Sequence, residues 1–138
     1  SFILGNPPFV GHTLRTEKQA QDSQHVWGRE GRFGRLDFVT AWYKKAADMA
    51  CLNRLIICSF VSTNSICQGE QVAPLWGEIL GRGLKIFFAH RTFQWNNEAR
   101  GIAAVHCIIV GFSAKEIDQK IIFDYEAPDS DPHKIYAE

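Results

Sequence analysis

Two adjacent prolines near the amino end constrain this chain more than any other feature. They sit in Asn6-Pro7-Pro8-Phe9, behind a short apolar run, Phe2-Ile3-Leu4, and Gly5. Each proline fixes φ at about −65° and lacks a backbone donor. A strand over the apolar run must therefore leave its sheet at Asn6, with an amide side chain and bare carbonyls just past the strand end. In open α/β sheets, ligands bind at such strand ends. Asn6 offers an acceptor oxygen and two donors, Pro7 a carbonyl with no competing N–H, and Phe9 a flat apolar ring. Paired acceptors beside a ring suit a flat ligand carrying an exocyclic amine, of which adenine is the obvious example. The bland alternative is a proline-rich strand exit with no chemistry.

At 138 residues and 46% hydrophobic content, the chain is one globular domain or part of one. No signal peptide is visible in these residues, and no apolar run approaches the roughly 18 residues a membrane helix needs. Cys51, Cys58, Cys67 and Cys107 form no CxxC pair and have no paired histidines, so no metal site is expected. Cys58 and Cys107 lie in apolar runs and read as small buried hydrophobes. A reduced, cytoplasmic setting is expected. The net charge of zero conceals an asymmetry: residues 1–115 hold 13 Lys/Arg against 8 Asp/Glu, and residues 116–138 hold 2 against 7. The motif-bearing part is mildly basic, as a nucleic-acid surface would be, although a solvated face gives the same count.

Residues 10–35 are polar and glycine-spaced, with Arg15, Lys18, Arg29, Arg32 and Arg35. They read as a long loop, either a flap that closes over substrate and touches phosphates through its cations or a plain solvated loop. Asp37 reads as a helix N-cap, with Phe38, Ala41, Trp42, Ala46 and Met49 on one helical face behind it. Leu55–Val61 is an apolar run of strand length that ends in the polar Ser62-Thr63-Asn64-Ser65. Val72, Leu75, Trp76, Ile79 and Leu80 follow helical spacing, with Pro74 in the first turn and Gly81 and Gly83 as stops. A strand over 84–89 and another over 104–110 flank a polar connection, 90–103, containing His90, Arg91 and Arg100. That connection lacks a helix-length segment, so the two strands should be antiparallel neighbours. His106 reads as a hydrogen-bonded core histidine and Trp76 as core. Residues 120–125 may form one more short strand, and the acidic stretch 126–138 reads as linker or edge. The order is βαβαβ with an antiparallel return, which suits the second half of a doubly wound domain, and a fragment of a larger protein is expected.

Asn-Pro-Pro-Phe in this setting resembles the catalytic motif of S-adenosylmethionine-dependent N6-adenine DNA methyltransferases. Protein-glutamine and some RNA methyltransferases use a similar tetrapeptide, and they remain the alternative together with a non-catalytic scaffold. The resemblance covers the chain to about residue 125. Asp37-Phe-Val-Thr-Ala-Trp-Tyr-Lys-Lys-Ala is similar to the helix after the catalytic loop, Phe60-Val-Ser-Thr-Asn-Ser-Ile to the next strand and loop, and His106-Cys-Ile-Ile-Val-Gly-Phe to the last strand. The blocks Val-Ser-Thr-Asn-Ser-Ile, Gln-Gly-Glu-Gln and His-Arg-Thr-Phe most resemble large bacterial restriction–modification enzymes that join a nuclease to an adenine methylase.

The resemblance implies an α/β fold, a partial class I (Rossmann-like) methyltransferase with a mixed sheet whose last strand is antiparallel, over residues 1–125. It implies Asn6, Pro7, Pro8 and Phe9 as the catalytic group, Phe112 as a contact to an extruded base, and Trp42 as a wall of the cofactor pocket. Double-stranded DNA is the implied partner, met by Arg15, Lys18, Arg32, His90 and Arg91. The glycine-rich turn and ribose-binding acid of such enzymes are missing from this sequence. The fragment alone is therefore expected to bind S-adenosylmethionine poorly, and to depend on the remainder of the parent enzyme and its target-recognition region.

Overall fold

The computed structural model describes residues 1–29, 31–95, 105–127 and 129–137. Six strands form one sheet: β1 (Phe2–Gly5), β2 (Ile57–Thr63), β3 (Lys85–Trp95), β4 (Val105–Ser113), β5 (Lys120–Asp124) and β6 (His133–Ala137). Their spatial order is β1-β2-β4-β3-β5-β6. β1 and β2 pair in parallel, β4 runs antiparallel to both β2 and β3, and β3 and β5 are parallel. Strands β1, β2, β3 and β5 therefore finish at one end of the sheet, and β4 is inserted against them. This is the mixed α/β sheet with an antiparallel return expected from the sequence. The stretch after β5 returns as the edge strand β6.

Alternate residues of the central strands build the core. Cys58 and Phe60 of β2 and Ile108, Val110 and Phe112 of β4 share one face, covered by helices α2 (Thr40–Leu52) and α3 (Val72–Gly81). Period-two alternation makes this possible, since a strand with one packed face buries every second side chain. On the opposite face, Gly111 lies under the Phe88 ring. A Cβ there would sit 2.1 Å from a ring carbon, so only glycine permits this approach. On β1, Phe2 and Leu4 are about 70% exposed along an edge that pairs only with β2 among the described residues.

Five expectations need correction. Residues 10–35 are not one long loop: they contain α1 (Glu17–Trp27). Its start is a capping box in which the Thr16 hydroxyl accepts from the Gln19 N–H and the Gln19 side chain accepts from the Thr16 N–H. The helix is polar all round except for a narrow stripe ending in buried Trp27, which stacks on Phe33 at 4.8 Å. That stripe is too thin to show as periodicity.

Asp37 does not cap α2. The helix begins at Thr40, and the Asp37 side chain turns away from its amides. The buried stripe of α2 is centred on Tyr43, Ala46, Ala47 and Ala50, so Met49, expected on the core face, is 51% exposed.

β3 continues to Trp95, so His90–Trp95 are strand rather than loop. His90 stacks on Phe123 of β5 at 4.3 Å, a neighbour the local sequence does not reveal. Residues 96–104, with Arg100, lie outside the described residues. His106 is exposed near the start of β4, not a core histidine.

Trp76 is core as expected, with its indole N–H donating to the Ile66 carbonyl at 2.8 Å. Cys58 and Cys107 are fully buried, and all four cysteines are free. Among the described residues no helix is long and apolar enough to cross a membrane.

Candidate active site

β1 ends at Gly5, opposite Phe60 of β2. The Phe60 ring lies against Gly5, where an added Cβ would meet two ring carbons at 3.3 Å. This packing fixes the point from which the chain departs into Asn6-Pro7-Pro8-Phe9. Asn6 and Pro8 are exposed, Pro7 is buried and Phe9 half-buried. Neither the Asn6 carboxamide nor the Pro7 carbonyl accepts a hydrogen bond from another described residue. Both acceptors lie without a partner among the described residues at the end of the sheet where four strands finish.

Beside them is an open hollow of about 370 Å³, bordered by Asn6, Pro7, Pro8, Trp42, Lys45 and Met49 among others. Trp42, Lys45, Ala46 and Met49 fall at i, i+3, i+4 and i+7 on α2, so one helical stripe forms the far wall. The Trp42 indole is held edge-on to Phe38, with ring centroids 5.0 Å apart. The structure thus brings Asn6, Pro7, Pro8 and Trp42 to one cavity, while Phe9 is not among its lining residues. Lys45 and Met49 were not foreseen as lining, though their helical spacing from Trp42 carried the signal.

Phe112 is not at this site. β4 runs against β2, so its last residues lie where β2 begins. Phe112 is opposite Cys58, level with Ile3, three residues and roughly 10 Å short of Asn6 along the strand direction. It is fully buried, stacked on Tyr43 at 5.7 Å, and no surface remains for a base to meet. Its expected role as a base contact is withdrawn.

The expected cations divide. Arg15 donates to the backbone carbonyls of His12 (3.2 Å) and Gly34 (2.8 Å), stapling the polar segment together. Arg32 lies over the Phe33 ring, 4.6 Å from its centroid. Lys18 is exposed on α1. Arg91 pairs with Asp124 at 2.9 Å. His90 Nδ1 is 2.6 Å from the Tyr125 hydroxyl, and burial holds its imidazole below the ordinary value. His90 is therefore a packed side chain, not a mobile loop residue. With Phe93, Trp95, Phe123 and Tyr125 it forms an aromatic group at the same end of the sheet as Asn6, and Trp95 remains 43% exposed.

The two buried sheet thiols are not ready nucleophiles. Burial pushes the Cys58 thiol up to about 11 and raises Cys107 as well. Among the described residues, no group of three or more His, Cys, Asp or Glu could hold a metal ion.

This geometry belongs to a recognisable family. The family model for the MmeI DNA-methyltransferase domain matches residues 1–124. The chain is a member of the MmeI DNA-methyltransferase domain family. Over 120 residues, 87% of its length, it is 37% identical to DNA methyltransferase A of Bacillus subtilis (strain 168), of which it covers 13%. It matches the solved structure of the type IIL restriction-modification enzyme MmeI in complex with DNA with a TM-score of 0.94 and 54% identity, over 99% of this chain and 18% of that one. The chain therefore spans less than a fifth of either relative.

Proposed function

We propose that this domain is the catalytic half of a DNA adenine-N6 methyltransferase within a longer bacterial, cytoplasmic restriction–modification enzyme. The observation that carries the reading is the pair of unbonded acceptors, the Asn6 carboxamide and the Pro7 carbonyl, at the end of β1 beside the Trp42 hollow. MmeI-family membership supports it.

Conjugation into the purine ring makes the N6 amine a poor nucleophile. The Asn6 oxygen and the Pro7 carbonyl accept its two N–H groups, which localises the nitrogen lone pair away from the ring. Each bond nets only about 0.5–1.5 kcal/mol in ordinary terms. Acceptors already in place when charge develops are worth more, because nothing need reorganise at the moment of reaction. Transfer would form the N6–carbon bond as the donor's sulfur–carbon bond breaks and the sulfur keeps the bonding pair as a neutral thioether, and the N6 proton would pass to solvent water, because the Asn6 and Pro7 oxygens are acceptors and not bases.

The base must leave the duplex to arrive here, at a cost of a few kcal/mol. Stacking on Phe9, worth roughly 1–3 kcal/mol, offsets it. Exposed Lys18 on α1 remains a candidate DNA contact, and Arg91 can reach DNA only by leaving Asp124.

S-adenosylmethionine, when bound, supplies a methyl group on a positively charged sulfur. The hollow suits its flat adenine portion, since Trp42 offers a ring and Met49 an apolar flank. No glycine-rich turn after β1 and no ribose-binding acid accompany them, so the remainder of the parent enzyme completes that site. The free edge of β1, with Phe2 and Leu4 exposed, suits a further strand from that remainder.

The test is methylation of duplex DNA, RNA and peptide by the full-length enzyme using labelled S-adenosylmethionine, followed by hydrolysis to nucleosides. N6-methyladenine from DNA is expected. Label in cytosine, RNA or glutamine would overturn the assignment. Asn6→Ala should lower the methylation rate about 100-fold or more, the scale of losing one preorganised polar contact, with DNA affinity largely kept. Unchanged turnover would remove Asn6 from the mechanism.

A further inference from the structure

A buried carboxylate just outside the tetrapeptide has no part in the mechanism above. Asp37 is 8% exposed and ties together four segments of the domain. Its Oδ1 accepts the His12 backbone N–H at 2.9 Å, and its Oδ2 accepts the Ser65 hydroxyl at 2.7 Å. Its own N–H donates to the Gln71 side chain at 3.0 Å, at the entrance to α3. Its carbonyl accepts both the N–H and the hydroxyl of Thr40, the first residue of α2. Immediately next to it, the Phe38 N–H donates to the Val10 carbonyl at 2.9 Å.

Val10 directly follows Phe9, and His12 follows two residues later. The strand holds the tetrapeptide at Gly5, and the bonds from Asp37 and Phe38 hold it at its exit. Between these anchors Pro7 and Pro8 have φ already fixed, so little freedom remains in the segment. Ser65 is itself 2.8 Å from Thr63, the last residue of β2, so the exit anchor is tied to the sheet and not to another loop.

We propose that Asp37 is the positioning residue of this active site: by clamping His12 to Ser65 it sets where the Asn6 and Pro7 acceptors stand. The proposal rests on the function assigned above. Asp37 touches neither substrate nor cofactor, and its carboxylate works as a fixed pair of acceptors.

The prediction follows from the acceptor geometry. Asn at 37 keeps one oxygen for the His12 N–H, and its amide N–H can donate to the Ser65 hydroxyl, which can reverse its role. Ala keeps neither bond. A displacement of about 1 Å in a reacting constellation can cost about 100-fold in rate. In the full-length enzyme, Asp37→Ala is therefore expected to lower kcat about 10- to 100-fold, with KM for DNA and cofactor within about threefold. Asp37→Asn should recover most of the rate, to within about threefold of the parent.

Turnover is measured per cofactor-binding site, so a merely structural role would reduce the number of sites and the melting temperature but leave the rate of each site unchanged. Wild-type turnover per site in Asp37→Ala overturns the proposal, as does an Asp37→Asn protein as slow as Asp37→Ala. If Asp37→Ala does not fold, Ser65→Ala takes its place. That variant removes one of the two bonds, is expected to slow turnover about 3- to 10-fold, and overturns the proposal if it does not. Asn6→Ala in the same assay separates the two levels: if it is inactive while the Asp37 and Ser65 variants are normal, only the positioning role falls.

Discussion

The two ends of the sheet are built on opposite rules. At the end where β2 begins and β4 finishes, the chain satisfies itself. Ser113 donates to the Ile56 carbonyl at 3.0 Å, Arg54 donates to the Ala114 carbonyl at 2.7 Å, and Phe112 is sealed under Tyr43. At the end where β1 and β2 finish, the Asn6 carboxamide and the Pro7 carbonyl accept no hydrogen bond from another described residue, although Lys45 borders the same hollow. Asn6 is exposed, so water meets its carboxamide, and an acceptor that no described residue occupies is one that a ligand can take over, as proposed above. The same sheet supplies both ends, and only strand direction decides which residues fall at which.

The strongest way to break this contrast is at Phe112. As a fully buried ring, Phe112→Ala should cost about 3–5 kcal/mol, seen as a large drop in thermal midpoint and soluble yield of the full-length enzyme. Phe112→Leu keeps most of the volume and should restore both, with normal methylation per site. A well-folded Phe112→Leu protein that selectively loses methylation would put an aromatic requirement at the closed end. The contrast would then be wrong.

Phe112 also shows where reading the sequence stops. The apolar runs give β2, β4 and the start of β3 within a few residues, because a run of that length between polar turns has little else to be, whereas the extension of β3 to Trp95 lies beyond its apolar run. The βαβαβ order and the antiparallel return follow from connection length. Asn6-Pro7-Pro8 is legible as a site because proline chemistry is local. Whether the terminal aromatic of a strand reaches that site is not local: it depends on the strand's direction, and an antiparallel insertion reverses the answer. The lack of a helix-length segment in the sequence between the two strand runs already implied that reversal, but its consequence for Phe112 appears only once the register is known.

Helix α1 and Asp37 fail for another reason. Their partners, Thr40 for Trp27 and Ser65 for Asp37, are 13 and 28 residues away, and no periodicity encodes them. The Thr16–Gln19 capping box was the one local signal for α1.

A subtler way to sharpen the comparison is Tyr43, which joins the two ends. Its ring stacks on Phe112, while its hydroxyl lies 2.7 Å from the fully buried Ser62 hydroxyl, one residue before the end of β2. Burial raises the phenol far above its ordinary value, so it stays neutral at any working pH. Tyr43→Phe keeps the stacking and deletes only the hydroxyl. Leaving Ser62 without that partner should cost about 1–3 kcal/mol, read as a lowered denaturation midpoint with unchanged denaturant slope. If methylation per site also falls, the open end depends on this buried tie. If it does not, the two ends are energetically separate.

The smallest effect concerns Asp48, on the far side of α2 from the closed core. Burial pushes its carboxyl up, but bonds from Lys44 and Arg82, each at 2.6 Å, outweigh that and hold it below the ordinary value of 3.8. A depressed carboxylate stabilises the fold above its unfolded pKa, and that contribution is lost as pH falls through the folded one. The Asp48 side chain is 43% exposed, so water screens the pair and its worth is below about 1 kcal/mol. Asp48→Asn should therefore lower the thermal midpoint slightly at pH 7. The gap to the parent should narrow at high salt and close in acid below the carboxylate range. A gap that persists there would mean that Asp48 acts through packing and hydrogen-bond shape, which the closed end uses throughout, and not through the charge that distinguishes this surface from it.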